Sequence, residues 1–281
     1  MTNKSFNTSR FESHISIACA DKTALDHLAE DTSLSKQKLK HAMSNGCAWL
    51  ESANGIHRIR RAKKLLNKGD KLHFYYDEGI QNIEPAAAEL IADEGEYSIW
   101  NKPYGMYSQG TKWGDHCSVY RWAELHLKPQ RPAFLIHRLD RATTGLIIVA
   151  HSKKTAAAFA RLFQNRNIQK QYKATVEGEL HIESLPFIIN DEIDNKAAIS
   201  KIIKLEAHGK NKTIVTIEIE TGRKHQIRKH LSQSGFPIVG DRLYGSNQSQ
   251  EEFPMINLQL QSTYLKFSCP LTNAIREYSL E

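Results

Sequence analysis

The stretch His137-Arg138-Leu139-Asp140-Arg141-Ala142-Thr143-Thr144-Gly145-Leu146-Ile147-Ile148-Val149-Ala150 constrains this chain more than any other. A short polar segment runs directly into an apolar, β-branched run. That run reads as a buried strand, so the polar segment sits at the end of a rigid element. Asp140 lies between Arg138 and Arg141, a setting that suits an anionic carboxylate. An anionic oxygen held at a strand edge fits nucleophilic or base chemistry. The plain alternative is a loop aspartate in a structural ion pair, since ion-pair networks also perturb carboxylates.

The text around this stretch mixes helix and strand patterns. Thr155 reads as the cap of a helix over 156–165, with Phe159, Leu162 and Phe163 on one stripe. Residues 172–176 read as a strand, and 197–207 and 213–220 as an antiparallel pair. In the latter, Val215, Ile217 and Ile219 alternate with Thr216, Glu218 and Glu220, the period of a half-exposed strand. Residues 224–234 read as a helix with Ile227 and Leu231 inward and Gly235 as its stop. A polar loop over 246–254 precedes closing strands at 259–267 and 275–280. This order predicts an α+β chain with a mixed, largely antiparallel sheet, not alternating βαβ units.

The N-terminal part reads differently. Residues 1–13 look like a loose tail. Thr23 and Ser35 are helix caps, and Gly46 ends the second helix. Residues 57–71 hold seven Lys and Arg against one acid, Asp70. Residues 78–89 have a linker composition, and 105–118, rich in Gly, Ser, Lys and His, read as a mobile loop. The formal charge of +7 fits a polyanionic partner, because Lys and Arg neutralise phosphates and release counterions.

The 137–150 stretch resembles the H-R-L-D-x-x-T-[ST]-G-L signature of the RluA-type pseudouridine synthases. Three further stretches resemble the same family in the expected order: Asn101-Lys102-Pro103-Tyr104-Gly105, Lys170 to Gly178, and Thr221 to Leu231 continued by Gly235 to Gly245. The resemblance covers about residues 90 to 280. The two short helices, Asn45-Gly46 and Lys68-Gly69-Asp70-Lys71 resemble an S4-type RNA-binding domain. That likeness departs where S4 domains carry Arg after the turn Ser; here Lys36 follows. The implied layout is an S4-like domain with its tail over 1–80, a linker over 81–95 and a pseudouridine synthase catalytic domain over 96–281.

The resemblance implies isomerisation of uridine to pseudouridine in ribosomal or transfer RNA, without metal or cofactor. Asp140 matches the catalytic carboxylate, as nucleophile at the ribose or as base; the sequence leaves both open. Tyr172 matches the active-site tyrosine. Arg223 matches the basic residue that pairs with the aspartate, with Arg228, five residues on, as the other candidate. Arg138 matches the side chain that fills the gap left by a flipped uridine. His137, Lys102, His225 and Arg228 are expected to face RNA, as are Lys36, Arg58, Arg60 and Arg61 on the N-terminal side. Ala142 departs from the acid common in the family at that place.

The competing reading is a non-catalytic RNA-binding protein that uses the basic N-terminal region. Cys19, Cys47, Cys117 and Cys269 are far apart and form no C-x-x-C pair, which speaks against a zinc cluster. The run Leu146 to Ala150 is far short of the roughly 20 apolar residues that span a bilayer. A polar N-terminus without a signal-peptide pattern leads to the expectation of a cytoplasmic protein, and a monomer is expected separately.

Overall fold

A computed structural model of the chain describes residues 10–209, 211–245 and 256–281. The polar loop expected at 246–254 lies outside the described residues, as does most of the expected N-terminal tail. The chain divides into two compact units. One runs to Pro85 and takes in Gln109–Trp122; the other holds Ala86–Ser108 and Ala123–Glu281.

The first unit opens on strand β1 (Arg10–Ser16), so its ordered part begins earlier than the tail expected to residue 13. Helices α1 (Ala24–Asp31) and α2 (Lys36–Ser44) follow, then β2 (Ala48–Ser52), β3 (Gly55–Ile59), β4 (Lys71–Asp77) and the short α3 (Glu78–Gln81). The four strands form one antiparallel sheet in the order β1-β4-β2-β3. The caps act where the sequence placed them: the Thr23 hydroxyl accepts from Asp26 N–H and the Ser35 hydroxyl from Lys38 N–H. Gly46, at φ +87°, takes the left-handed turn that ends α2. Leu25, Leu28, Leu39 and Met43 from the helices pack with Leu50, Leu72 and Phe74 from the sheet to form one core. Each such side chain contributes about 1.5–3 kcal/mol when buried.

Most of the segment 105–118, read from the sequence as a mobile loop, is bonded into this unit as part of Gln109–Trp122. Asp115 N–H donates to Asn45 O at 2.9 Å, and Trp113 O accepts from Gln81 Nε2 at 3.1 Å. The Asp115 carboxylate, fully buried, receives Arg58, Arg60 and the Tyr120 hydroxyl. Burial opposes its charge, but the two guanidiniums prevail and hold the carboxyl below its usual range. Arg58 and Arg60 were expected to face RNA. Their side chains are only 13% and 26% exposed, because a buried carboxylate demands compensation and these two supply it. Arg58 also stacks on the Trp49 ring at 4.4 Å. Arg61 is exposed, and Lys36 is exposed with its ammonium 2.7 Å from Asp26 Oδ1.

The second unit comprises β5 (Glu89–Asp93), β6 (Tyr97–Lys102), the end of α4 (Val119–His126), β7 (Phe134–Leu135), β8 (Thr144–Ala150) and α5 (Lys153–Gln164). It continues with β9 (Ile168–Glu177), β10 (Phe187–Ile189), β11 (Ser200–Ala207), β12 (Lys212–Ile219), α6 (Gln226–Gln233), β13 (Leu260–Ser268) and β14 (Ile275–Ser279). The strand β5 falls inside the segment read as a linker. The main path of the sheet is β10-β11-β12-β9-β13-β8-β6-β5, with β14 on β13 and β7 on β8. Only the β13–β8 pair is parallel among the described strands, so the sheet is mixed and largely antiparallel as expected. Six of the seven β8 residues are buried, which explains its unbroken apolar text. Leu146 and Ile148 join Tyr97, Ile99, Phe159, Leu265 and Phe267 in the core. The helix α5 starts one turn earlier than expected, because Ser152, not Thr155, supplies the capping hydroxyl.

Replacing Asp115 by Ala leaves two largely buried guanidiniums without a counter-charge. The expected loss is about 3–5 kcal/mol, the usual result of breaking a buried pair from one side. In calorimetry of the full chain, the melting of the first unit should fall by roughly 12 °C or more. An unchanged melting profile would show that Asp115 does not hold 109–122 in place.

Candidate active site

The site is built on the meeting of three strands. β8 and β13 align in parallel with Gly145 opposite Ser262, and β13 aligns with β9 so that Ser262 lies opposite Tyr172. Tyr172 is thus two strand spacings, about 10 Å, from Gly145. Gly145 has φ +102°, and a Cβ there would lie 2.1 Å from Ser262 O. Only glycine permits this approach, which fixes where the polar loop enters the strand.

That loop is stapled from behind by the segment after β6. Asp140 O accepts from Thr143 N–H at 3.1 Å, closing a turn, and Gly105 N–H donates to Arg141 O at 3.0 Å. The Ser108 hydroxyl donates to Leu139 O at 2.7 Å and accepts from Leu139 N–H at 2.9 Å. Lys102 is fully buried, and its ammonium donates to Pro103 O, Met106 O and Arg141 O at 3.1, 2.9 and 3.3 Å. Burial brings its pKa down to about 7, with the Asp140 charge pulling the other way. Lys102 was expected to touch RNA; it instead ties the two loops together, because three inward carbonyls need a donor.

Beside Asp140 stands α6. Arg228 grips Asp241 with a two-pronged fork, Nε to Oδ2 and Nη2 to Oδ1, both at 2.7 Å. Asp241 also accepts the Leu243 and Tyr244 amides at 2.9 and 3.1 Å. Burial works against its charge, but the fork and the amides hold the Asp241 carboxyl below its usual range. The remaining prong of Arg228, Nη1, points to Asp140 Oδ2 at 3.8 Å. His225 Nε2 lies 3.8 Å from the same oxygen, and His225 Nδ1 is 3.0 Å from the Tyr244 hydroxyl. The Tyr244 ring lies 5.0 Å from the Arg228 guanidinium. Burial keeps His225 below the ordinary imidazole value, while Asp140 pulls it up and Arg228 pushes it down.

The residue drawn to Asp140 is therefore Arg228. Arg223 lies just before the helix and donates through Nε to Ala197 O at 3.0 Å, while its own amide donates to Gln226 Oε1 at 3.1 Å. The helical repeat explains the outcome: Ile227, Arg228 and Leu231 share the buried side of α6, whereas Arg223 precedes its first turn. Tyr172 is buried, and burial pushes its phenol up to about 12, with Asp140 adding to the shift. It stays a neutral phenol at neutral pH.

His137, expected to face RNA, turns inward instead. Its Nε2 accepts the Ile148 amide at 2.9 Å and its ring stacks on Phe163 at 4.7 Å. Burial pushes its pKa down to about 3, so it is a neutral acceptor in the fold. Arg138, by contrast, is exposed. Two functional residues had no role in the sequence reading, Asp241 and Tyr244. The clue was present: an Arg on an inward helix face needs an acid, and Asp241 follows within the same motif-bearing stretch. Among the described residues, no group of three or more His, Cys, Asp or Glu is placed to hold a metal.

Residues 96–233 match the family model for RNA pseudouridylate synthase. The dual-specificity RNA pseudouridine synthase RluA of Haemophilus influenzae is 31% identical over 201 residues, 66% of this chain and 88% of its own. The tRNA pseudouridine synthase C of Vibrio parahaemolyticus is 28% identical over 218 residues, 68% of this chain and 89% of its own. Among solved structures, human RNA pseudouridylate synthase domain containing 1 shares the fold, with a TM-score of 0.59 and 22% identity over 71% of this chain and 86% of that one.

The fork makes a ranking. Arg228→Ala strands buried Asp241 and should lower stability by about 3–5 kcal/mol in urea unfolding. Arg223→Ala loses one hydrogen bond, about 1 kcal/mol. The opposite ranking would return the pairing to Arg223. Asp241 adds a pH signature. Its folded pKa is depressed, so its contribution is present above the unfolded value of about 3.9 and is lost as pH falls through the folded value. Asp241→Asn should flatten that acid-side loss.

Proposed function

The chain belongs to the RNA pseudouridine synthase family, of the RluA type, and we propose that Asp140 drives isomerisation of a flipped uridine in ribosomal or transfer RNA. The enzyme is an isomerase: the C1′–N1 bond of uridine breaks, C1′–C5 forms, and the proton from C5 is replaced by one on N1. The observation that carries the assignment is the environment of Asp140. Its Oδ2 lies 3.8 Å from both Arg228 Nη1 and His225 Nε2, so a guanidinium and an imidazole face the carboxylate. A carboxylate so faced, and only partly exposed, suits nucleophile or base alike. The RNA-binding reading without catalysis does not need such a carboxylate.

Tyr172 supplies a ring face on which uracil stacks, and its neutral hydroxyl is a hydrogen-bond donor or acceptor near the base. Exposed Arg138 enters the duplex where the uridine leaves it, since the glycosidic bond is out of reach in the stack. Arg223, beside the loop to α6, and Arg61 and Lys36 on the first unit, contact phosphates. The S4-like reading of the first unit rests on its two helices and basic stretch. A single chain holds Asp140, Tyr172 and Arg228, which fits a monomer. No helix among the described residues is long and apolar enough to cross a membrane. The reading of a cytoplasmic enzyme rests on its RNA substrate.

Asp140→Asn keeps the side-chain shape and removes the reacting charge. Release of tritium from 5-tritiated uridine in RNA should fall by at least about ten-thousandfold, the scale seen when a covalent or base catalyst is removed. RNA affinity should stay within about twofold, because phosphate contacts carry most of it. Turnover near the wild-type rate would end the assignment of Asp140.

A further inference from the structure

His225 is held in an uncommon backbone state at the start of α6. Its φ and ψ are 56° and 28°, the left-handed region, and as the residue before the helix it makes no capping hydrogen bond. A non-glycine residue there costs about 1–3 kcal/mol and persists only where its surroundings demand it. Gly or Asn at this place would relieve the backbone, and Asn would also cap the helix. The imidazole, however, does something neither can. Its side chain is only 14% exposed: Nδ1 is hydrogen-bonded to the Tyr244 hydroxyl at 3.0 Å, and Nε2 faces Asp140 Oδ2 across 3.8 Å, longer than a hydrogen bond.

We propose that His225 is a positioning residue for Asp140. Its Nε2–H, selected by a hydrogen bond donated from Tyr244 to Nδ1, steers Oδ2 so that Oδ1 is the oxygen that reacts. The inference rests on the catalytic reading of Asp140 and extends it to a residue pair and to one oxygen atom. The tautomer follows from the partners. A carboxylate oxygen offers only lone pairs, so the tautomer with its proton on the nitrogen facing Asp140 is the one the carboxylate favours. Nδ1 is then an acceptor, and Tyr244, the only partner it has among the described residues, must donate. Tyr244 is itself set by the fork: its amide donates to Asp241 Oδ1 at 3.1 Å and its ring packs against Arg228. The chain of contacts Asp241, Tyr244, His225, Asp140 thus runs parallel to the direct line Asp241, Arg228, Asp140.

The neutral ring suits this task. The charged and titratable groups facing it are Asp140 from the loop before β8, Arg228 and Lys224 from its own element, and Asp241 and Tyr244 from the loop after α6. Burial and the two cations keep it neutral, against the two carboxylates. A neutral donor orients Oδ2 without adding a second full cation that would weaken the carboxylate as a nucleophile or base. Protonation of Nδ1 at acid pH breaks the bond from Tyr244 and adds that cation. The wild-type rate should therefore fall as pH drops through the His225 value.

The test uses the full chain and bulk RNA labelled with 5-tritiated uridine, taken from a host lacking this protein. Single-turnover tritium release and RNA affinity are measured for wild type, His225→Phe, His225→Gln and Tyr244→Phe between about pH 5 and pH 9. His225→Phe keeps a ring and loses the donor. Its rate at neutral pH should fall about ten- to a hundredfold, the scale of a reacting group displaced by up to an ångström, with RNA affinity within about twofold. His225→Gln places an amide N–H near Oδ2. It should restore at least about a third of the rate and move the acid-side fall to lower pH, since no ring remains to protonate. Tyr244→Phe leaves the ring free to turn its lone pair toward Asp140 and should lose rate in the same direction. A wild-type rate for His225→Phe, or for Tyr244→Phe with an unchanged pH profile should the Phe variant at 225 not fold, overturns the proposal. So does a loss carried by RNA affinity instead of rate, which makes His225 an RNA contact. No tritium release from the wild-type protein overturns the catalytic reading itself.

Discussion

The buried fork between Arg228 and Asp241 is the interaction on which the site depends. Both prongs are 2.7 Å long and both partners are nearly or wholly removed from solvent. A charge pair in that setting is held by geometry and by the absence of competing water. Because Asp241 satisfies Arg228, the guanidinium reaches Asp140 with one remaining nitrogen at 3.8 Å. Asp140 is steered by a cation whose charge is already largely answered. A direct two-pronged grip would have occupied both carboxylate oxygens and left neither for chemistry. The same acid receives the Leu243 and Tyr244 amides, so one carboxylate sets both the helix and the loop beside it.

The other side of Asp140 is governed by contacts to backbone groups. Lys102, Gly105 and Ser108 tie the motif loop to the segment after β6, and Gly145 lets β8 run against β13. These bonds hold the loop in one position, and the proposed chemistry of Asp140 needs such placement to within about 0.5 Å. Two residues that seemed made for RNA, Lys102 and His137, serve this purpose. One donates to three carbonyls and the other accepts an amide, and both do so because a buried polar backbone group left unpaired costs more than the side chain's burial.

The first unit shows the same conversion of apparent surface charge into structure. Of the cations in 57–71, Arg58 and Arg60 turn to Asp115, which arrives from far along the chain. Charge counting overstates the cations free to meet phosphate, because it is blind to long-range partners. Arg61 and Lys36 are among the cations that stay exposed.

The sequence alone determined a good deal. It set the class of fold, because alternation and apolar runs report strand burial directly. It set the helix caps at Thr23 and Ser35, because capping acts within three residues. It also singled out Asp140 and Tyr172, carried by motifs continuous in the chain. The tertiary structure decided which partner each charge takes. Arg228 over Arg223 followed from which residues of α6 face inward, and Asp241 and Tyr244 became visible once the chain folded back on that helix. The segment 109–122 joined the first unit through Asp115, which has no local sign in its own stretch. Local hydrogen bonding and periodicity are written in near neighbours, whereas a buried charge is answered by whichever group the fold brings within about 4 Å, and that distance is not a property of sequence separation.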